Sequence, residues 1–97
     1  MSRVALSPRV QDDFDRIFDF LFAHPPDFAA QRIESIAQAF SVLERSPLIG
    51  RPAPGGQREL IISTGANGYI ALYHYDPVAD LALVLSVRSQ RERDYKR

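Results

Sequence analysis

The sequence has no cysteine and no tryptophan, and only one methionine, among its 97 residues. Without cysteine there is neither a disulfide framework nor a thiolate ligand for a metal, so burial of apolar side chains must hold the fold together. No apolar run approaches the ~18 residues that a membrane-spanning helix needs. The N-terminal stretch also lacks the sustained apolar run of a secretory signal, so we expect a cytoplasmic protein.

A net charge is missing as well, because twelve basic residues balance twelve acidic ones. This balance argues against a protein that coats nucleic acid through bulk electrostatics. The charge is unevenly divided: residues 1–50 carry five basic and seven acidic residues, a net of −2, whereas residues 51–97 carry seven and five, a net of +2. Eleven of the twelve basic residues are arginines. A need for bidentate phosphate or carboxylate contacts explains this bias, and so does the base composition of a source genome.

The hydrophobic pattern predicts one α+β domain over residues 1–97. Two amphipathic helices with a very short link form an antiparallel hairpin, with Asp27 as the expected N-cap of the second, and the hairpin packs on one face of an antiparallel sheet. The predicted elements are, in order, a strand at 3–6, helices at 8–24 and 29–46, a loop at 47–56, and strands at 58–63, 69–75 and 81–88.

Alternation along the strands assigns their side chains to the two faces of the sheet. On the face toward the helices we expect Ile70, Leu72 and His74, together with Leu81, Leu83, Leu85 and Val87. On the other face we expect Tyr69, Tyr73 and Tyr75 beside Arg88, with Arg58 on the neighbouring strand and Arg91 just beyond. Interleaved tyrosines and arginines suit stacking on bases or holding a peptide. The strand propensity of tyrosine is the simpler explanation of the same pattern.

Few residues offer chemistry. Asp12, Asp13 and Asp15 lie in the first two turns of the first helix, where the helix dipole favours negative charge without any metal. No metal-ligand cluster, phosphate-binding glycine loop or nucleophile motif is present, so we expect no cofactor and no metal. Phe20 and Phe22 lie off the apolar face of this helix and either extend the core or form an exposed patch.

Cleavage of RNA would need a general base, a proton donor and cations around the phosphate. Arginines can supply the cations. His74 is expected in the core and His24 at a helix C-terminus, where it serves better as a cap than as a base. Tyr95, in the charged tail, is the remaining candidate acid.

Five motifs resemble, by their order, the RelE/ParE family of bacterial toxins from type II toxin–antitoxin modules, which are associated with plasmid stabilization. They are LSPRVQDDFDRIFDFL, FSVLERSPLIGRP, QRELII, YIALYHYD and VLSVRSQRERDY. The resemblance covers nearly the whole chain. It implies a helix hairpin on an antiparallel sheet and a tight complex with a small antitoxin, ParD-like or similar, encoded beside the toxin.

The family divides by target: RelE-like members cleave mRNA in the ribosome, whereas ParE-like members inhibit DNA gyrase and need no active site. Arg58 and Arg88 match arginines found in both branches. Many relatives carry a histidine directly after the second arginine, but this chain has Ser89, and it lacks the strongly basic character of the nuclease branch. The resemblance therefore favours a ParE-like inhibitor of gyrase that is not an enzyme.

Two alternatives stay open. One is an mRNA interferase that uses Arg58, Arg88, Arg91 and Tyr95. The other is an inactive homologue that only binds its antitoxin. In each case the antitoxin is expected to fold as it binds, with its acidic side chains on the arginines. The residues expected to bind antitoxin or target are Arg58, Tyr69, Tyr73, Arg88, Arg91, Phe20 and Phe22.

Overall fold

The computed structural model describes residues 1–22, 26–62 and 68–89, and the side chains of these residues except those within 20–32. It confirms the α+β class. Its elements are β1 (Arg3–Leu6), α1 (Pro8–Phe22), α2 (Pro26–Arg45), β2 (Arg51–Ala53), a 3-10 turn (Pro54–Gly56), β3 (Gln57–Ile62), β4 (Tyr69–Asp76) and β5 (Leu81–Ser89). No helix among the described residues is long and apolar enough to cross a membrane.

The strands form a single five-stranded sheet in the order β1-β5-β4-β3-β2. β2, β3, β4 and β5 pair antiparallel in chain order. β1 pairs parallel with β5; α1, α2 and β2–β4 all lie between them in the chain and supply the long crossover that a parallel pair needs. The sheet thus has one strand more than the sequence predicted, and one parallel edge.

Two features of the chain differ from the predictions. α2 begins at Pro26, so Asp27 lies within the helix and is not its N-cap. Proline suits the first helical position because its missing N–H would have no partner there, and its ring fixes φ near the helical value. The second difference is the predicted loop at 47–56, which contains β2 and the 3-10 turn. β2 is short and holds Pro52, which is tolerated because the strand lies at the sheet edge.

The core lies between one sheet face and the two helices. Val10 and Ile17 of α1 and Ile36 and Leu43 of α2 pack against the strands. The strand residues of this core are Ile62, Tyr69, Ala71, Tyr73, Ala82, Val84 and Val87. Burial of these side chains is the main favourable term for a chain with no disulfide.

A bulge in β5 explains why alternation alone assigned the faces wrongly. Tyr73 pairs with Val84, but Leu72 pairs with Ser86, so Leu85 is an extra residue between the two pairs. Val84 and Val87 consequently both face the helices, although an odd separation of three residues would place them on opposite faces of a regular strand. The predicted inward row of Leu81, Leu83, Leu85 and Val87 is therefore wrong for all but Val87.

The N-terminus is tied to the turn between β4 and β5. The hydroxyls of Ser2 and Tyr75 both donate to Oδ1 of Asp80, at 2.5 and 2.7 Å. The Arg3 backbone N–H donates to the Asp80 carbonyl at 3.0 Å. Asp80 has a positive φ of 52°, a conformation that aspartate and asparagine tolerate better than most side chains. Hydrogen bonds from Ser2 and then Tyr75 lower the pKa of the Asp80 carboxyl below its ordinary value.

This lowered pKa gives a testable acid dependence. The contribution of ionised Asp80 to stability is complete at neutral pH and is lost as the pH falls through the lowered folded-state pKa. Asp80→Asn keeps the hydrogen-bond acceptor and tolerates positive φ, but it cannot titrate. We expect the stability gap between wild type and Asp80→Asn to narrow from about pH 6 to about pH 3, measured by urea unfolding. An equal difference in unfolding free energy between the two proteins at both pH values would show that Asp80 does not contribute to the acid dependence.

Candidate binding surface

The sheet face that points away from the helices carries one arginine of the predicted site, Arg88. We call it the open face; its residues are Ile61, Ile70, Leu72, His74, Leu83, Ser86 and Arg88. Arg88 pairs with Ile70, and Ile70 in turn pairs with Ile61 across β4 and β3. The Arg88 guanidinium is half-buried and makes no hydrogen bond or ion pair with another described side chain. Among the described residues, the open face therefore offers an arginine without a charged partner beside an apolar centre.

The rim of the open face carries one ion pair. Arg51 Nε lies 3.2 Å from Glu59 Oε1, and the two residues are paired between β2 and β3. Ile61 is 42% exposed, a large fraction for an isoleucine within a β-strand. An apolar centre flanked by arginines and a polar rim is the usual anatomy of a protein–protein interface.

Arg58 lies on the opposite face and has a different task from Arg88. It pairs with Tyr73, whose ring is fully buried in the core. The Arg58 guanidinium donates to the Gly50 carbonyl at 2.7 Å and to the Leu48 carbonyl at 3.2 Å. Arg58 thus fixes the loop between α2 and β2 by satisfying two of its carbonyl groups.

Tyr73 completes this arrangement from within the core. Its hydroxyl accepts the Gly50 N–H at 2.8 Å and donates to the Pro47 carbonyl at 2.8 Å. Burial raises the pKa of the Tyr73 phenol, and the Gly50 N–H and the Arg58 guanidinium oppose that rise. We name the set Pro47, Leu48, Gly50, Arg58 and Tyr73 the loop clamp. It holds Leu48 and Ile49 out in solvent, with 58% and 56% of their surfaces exposed.

The orientations predicted for the three tyrosines of β4 and for His74 are wrong. Tyr69 and Tyr73 are 5% and 0% exposed and belong to the core, so neither ring lies on the open face. Tyr75 packs against the same core. His74, predicted in the core, is exposed on the open face opposite Leu83. The two alternating rows of β4 were predicted correctly, but the wrong row was assigned to the helix side. Alanine and tyrosine, rather than isoleucine and leucine, fill the space beneath the helices.

Five candidate functional residues lie outside the described side chains: Phe20, Phe22, His24, Arg91 and Tyr95. Their predicted roles stay predictions. Among the described residues, no group of three His, Asp or Glu side chains is close enough to hold a metal ion. Arg88 is thus the one predicted binding residue that the described structure places on the open face.

A groove runs between α2 and the outer edge of β3. Its volume is about 410 Å³, and it is lined by Ser35, Gln38, Ala39, Val42, Leu60, Ile61 and Ile62. β2 pairs only with residues 57–59, so within the described part of the chain no strand covers the outer edge of residues 60–62. Free backbone groups beside an apolar groove suit an added strand or an extended peptide.

The sequence analysis missed the role of Asp13. It is 3% exposed, and its Oδ2 accepts the Val87 N–H of β5 at 3.0 Å. Arg16 donates to its other oxygen at 3.3 Å. The helix dipole alone therefore does not explain this carboxylate. One signal was available in the sequence: Asp13 follows Val10 by three residues and precedes Ile17 by four, which places it on the buried helical face.

Known proteins resemble the chain in both sequence and fold. A family model described as the ParE toxin of type II toxin–antitoxin systems, parDE, matches residues 4–94. Toxin RelE3 of Caulobacter vibrioides is 30% identical over 93 residues, which cover 96% of this chain and 99% of that protein.

Solved toxin–antitoxin structures share the fold. The chromosomal ParDE system of P. aeruginosa superposes with a TM-score of 0.75 at 18% identity, covering 92% of this chain and 96% of that one. The RelBE2 complex of Mycobacterium tuberculosis gives a TM-score of 0.58 at 25% identity, covering 92% and 98%. The intact RelBE complex of E. coli gives 0.63 at 13% identity, covering 92% and 96%. Because the family model spans nearly the whole chain, the chain belongs to the ParE toxin family of type II toxin–antitoxin systems.

Proposed function

We propose that this toxin acts by binding DNA gyrase through the open face, and that a cognate antitoxin neutralises it. The observation that carries the proposal is the separation of Arg58 from Arg88. The Arg58 guanidinium lies in the loop clamp on the helix side of the sheet, whereas Arg88 pairs with Ile70 on the open face. A nuclease needs its cations around one phosphate. These two arginines do not converge on one.

The composition of the open face supports binding to a protein. Ile61 and Leu72 give its centre accessible apolar surface around Ile70, which is itself only 6% exposed, and Arg88 stands beside them without a charged partner among the described residues. Arginine next to a desolvated apolar centre is a frequent energetic hot spot of protein interfaces. We assign the gyrase contact to this surface, with Arg88 as its anchor.

The antitoxin forms the second part of the proposal. The names of the structural neighbours describe toxin–antitoxin complexes, ParDE and RelBE. We propose that the antitoxin lays an extended segment along the free edge of residues 60–62 and puts an apolar side chain into the groove beside α2. Its acidic side chains then pair with Arg88, and with Arg91. Phe20 and Phe22 are proposed to lie under the same antitoxin.

Cleavage of mRNA is the second candidate, and two observations favour it. His74 is exposed on the same face as Arg88, so an imidazole is available where the sequence predicted none. The sequence relative is also named a RelE toxin. Against this, His74 lies four residues along β4 from Ile70, the partner of Arg88, a separation of roughly 13 Å that one phosphate does not span.

The two candidates separate in one experiment. Purified toxin is added to DNA gyrase, where supercoiling and DNA cleavage are followed, and to a translation extract, where cleavage of the message is followed. We expect loss of supercoiling and an intact message. A cleaved message with normal supercoiling would replace the gyrase proposal with the nuclease, and neither effect would indicate a homologue that only binds its antitoxin. His74→Ala is the matched variant for the translation extract. It removes the exposed imidazole that a nuclease would use and changes no other residue.

A further inference from the structure

The orientation of Arg88 depends on the bulge in β5. Val84 faces the core, and in a strand without a bulge Ser86 and Arg88 would follow it onto the same face, since side chains alternate with a period of two. The extra residue Leu85 reverses the alternation. Val87 therefore enters the core, while Ser86 and Arg88 turn to the open face opposite Leu72 and Ile70.

Two side chains from the start of α1 hold the bulge in place. β1 pairs with β5 only as far as Val84, so the backbone groups that follow have no strand partner on that side. Ser7 fills the first gap: its N–H donates to the Val84 carbonyl at 2.9 Å and its hydroxyl to the Leu85 carbonyl at 3.0 Å. Asp13 fills the next, since its Oδ2 accepts the Val87 N–H at 3.0 Å.

Burying the Asp13 carboxylate costs hydration free energy, so its position calls for a physical explanation. A carboxylate that is 3% exposed loses most of its hydration, and only hydrogen bonds and charges offset that loss. Its oxygens receive the Val87 N–H, the Arg16 guanidinium at 3.3 Å and, at 3.9 Å, the Arg9 guanidinium. Both arginines are largely exposed, so the contact that defines the position of the carboxylate is the backbone bond to β5.

We propose that Asp13, with Ser7, is a positioning residue for Arg88: the two fix the bulge that turns Arg88 onto the open face. This inference rests on the proposed function only where it gives Arg88 a role in binding gyrase. The geometry of the bulge does not depend on that function. Loss of the Asp13 carboxylate releases the Val87 N–H and loosens the register, so that the Ile70–Arg88 pair no longer forms in a single arrangement.

The test has a structural part that needs no partner. In Asp13→Ala, we expect the Val87 amide to exchange with solvent at least about tenfold faster than in wild type, and the cross-strand NMR contacts between Ile70 and Arg88 to weaken. Asp13→Asn keeps an oxygen that can accept the Val87 N–H, so it should retain both signals although it loses the charge. Unchanged contacts in Asp13→Ala, at equal folded fraction, would overturn the inference.

A double-mutant cycle supplies the functional part, with DNA gyrase as the probe. If Asp13 acts through Arg88, the Arg88→Ala substitution should have a much smaller effect once Asp13 is already alanine. Alone, Arg88→Ala should reduce the inhibition of gyrase tenfold or more; in the Asp13→Ala protein it should reduce inhibition by less than about a further twofold. A reduction of tenfold or more on Arg88→Ala in both the wild-type and the Asp13→Ala protein would contradict the inference. If wild type does not inhibit gyrase at all, the proposed function fails, and the NMR measurement still decides the role of Asp13.

Discussion

Replacing Gly50 by alanine should destabilise the protein more than the same replacement at Gly55 or Gly56. A Cβ at this position would lie 2.6 Å from the Tyr73 hydroxyl, 2.7 Å from its ring and 2.9 Å from the Glu59 carbonyl. Two of these contacts are with a fully buried ring and with backbone, neither of which can move away cheaply. We expect the free energy of unfolding to fall by about 3 kcal/mol, from overpacking and from the strained hydrogen bonds of the loop clamp.

Gly56→Ala is the matched control for this substitution. Gly56 has a positive φ of 74°, and nothing lies within 4 Å of an added Cβ. Its replacement should therefore cost only the left-handed backbone strain, about 1 kcal/mol. Urea denaturation of both variants measures the difference. Equal losses would mean that the close approach of Gly50 to Tyr73 does not limit the packing of the loop.

Arg88→Ala should weaken the antitoxin complex by about tenfold to a hundredfold while leaving the stability of the free toxin nearly unchanged. The reason is that Arg88 has no hydrogen bond or ion pair with another described side chain, so its removal leaves no described side chain without a polar partner. Arg58→Ala should behave in the opposite way. It leaves the Leu48 and Gly50 carbonyls without their donor, and we expect a loss of about 1–2 kcal/mol of stability.

Isothermal titration with the antitoxin, together with urea unfolding of the free toxin, separates the two arginines. Arg45→Ala is the control for charge alone, since Arg45 is exposed in the last turn of α2, away from the open face. If Arg88→Ala destabilised the toxin as much as Arg58→Ala, its guanidinium would be part of the fold. If only Arg58→Ala lowered the affinity, the antitoxin would bind at the loop clamp instead.

Secondary structure was largely predictable because each element has its own local signal. Ser7-Pro8 marks the start of α1, and the helical spacing of Val10 and Ile17 marks its buried face. β2 was missed because it is three residues long and contains Pro52, a residue type that predicts a loop. Only pairing with β3 makes it a strand, and that pairing is a tertiary contact.

The assignment of side chains to the two sheet faces failed for a physical reason of another kind. Alternation divides a strand into two rows but does not say which row meets the helices. In β4 the helices cover Ala71 and Tyr73, whose phenol finds hydrogen-bond partners in the loop clamp, while Leu72 and His74 lie on the open face. A bulge adds a second uncertainty, since one extra residue reverses every later side chain. Its signal lies in Asp13, more than seventy residues earlier in the chain.

The most direct test of the proposed function is the amount of toxin that half-inhibits supercoiling by DNA gyrase, measured for wild type, Arg88→Ala and Arg45→Ala at equal folded concentration. We expect wild type and Arg45→Ala to inhibit equally, and Arg88→Ala to require at least about tenfold more protein, a loss of roughly 1.4 kcal/mol of binding free energy. Equal inhibition by all three proteins would contradict the assignment of the gyrase contact to the open face. Undiminished supercoiling in the presence of the wild-type toxin would contradict gyrase as the target.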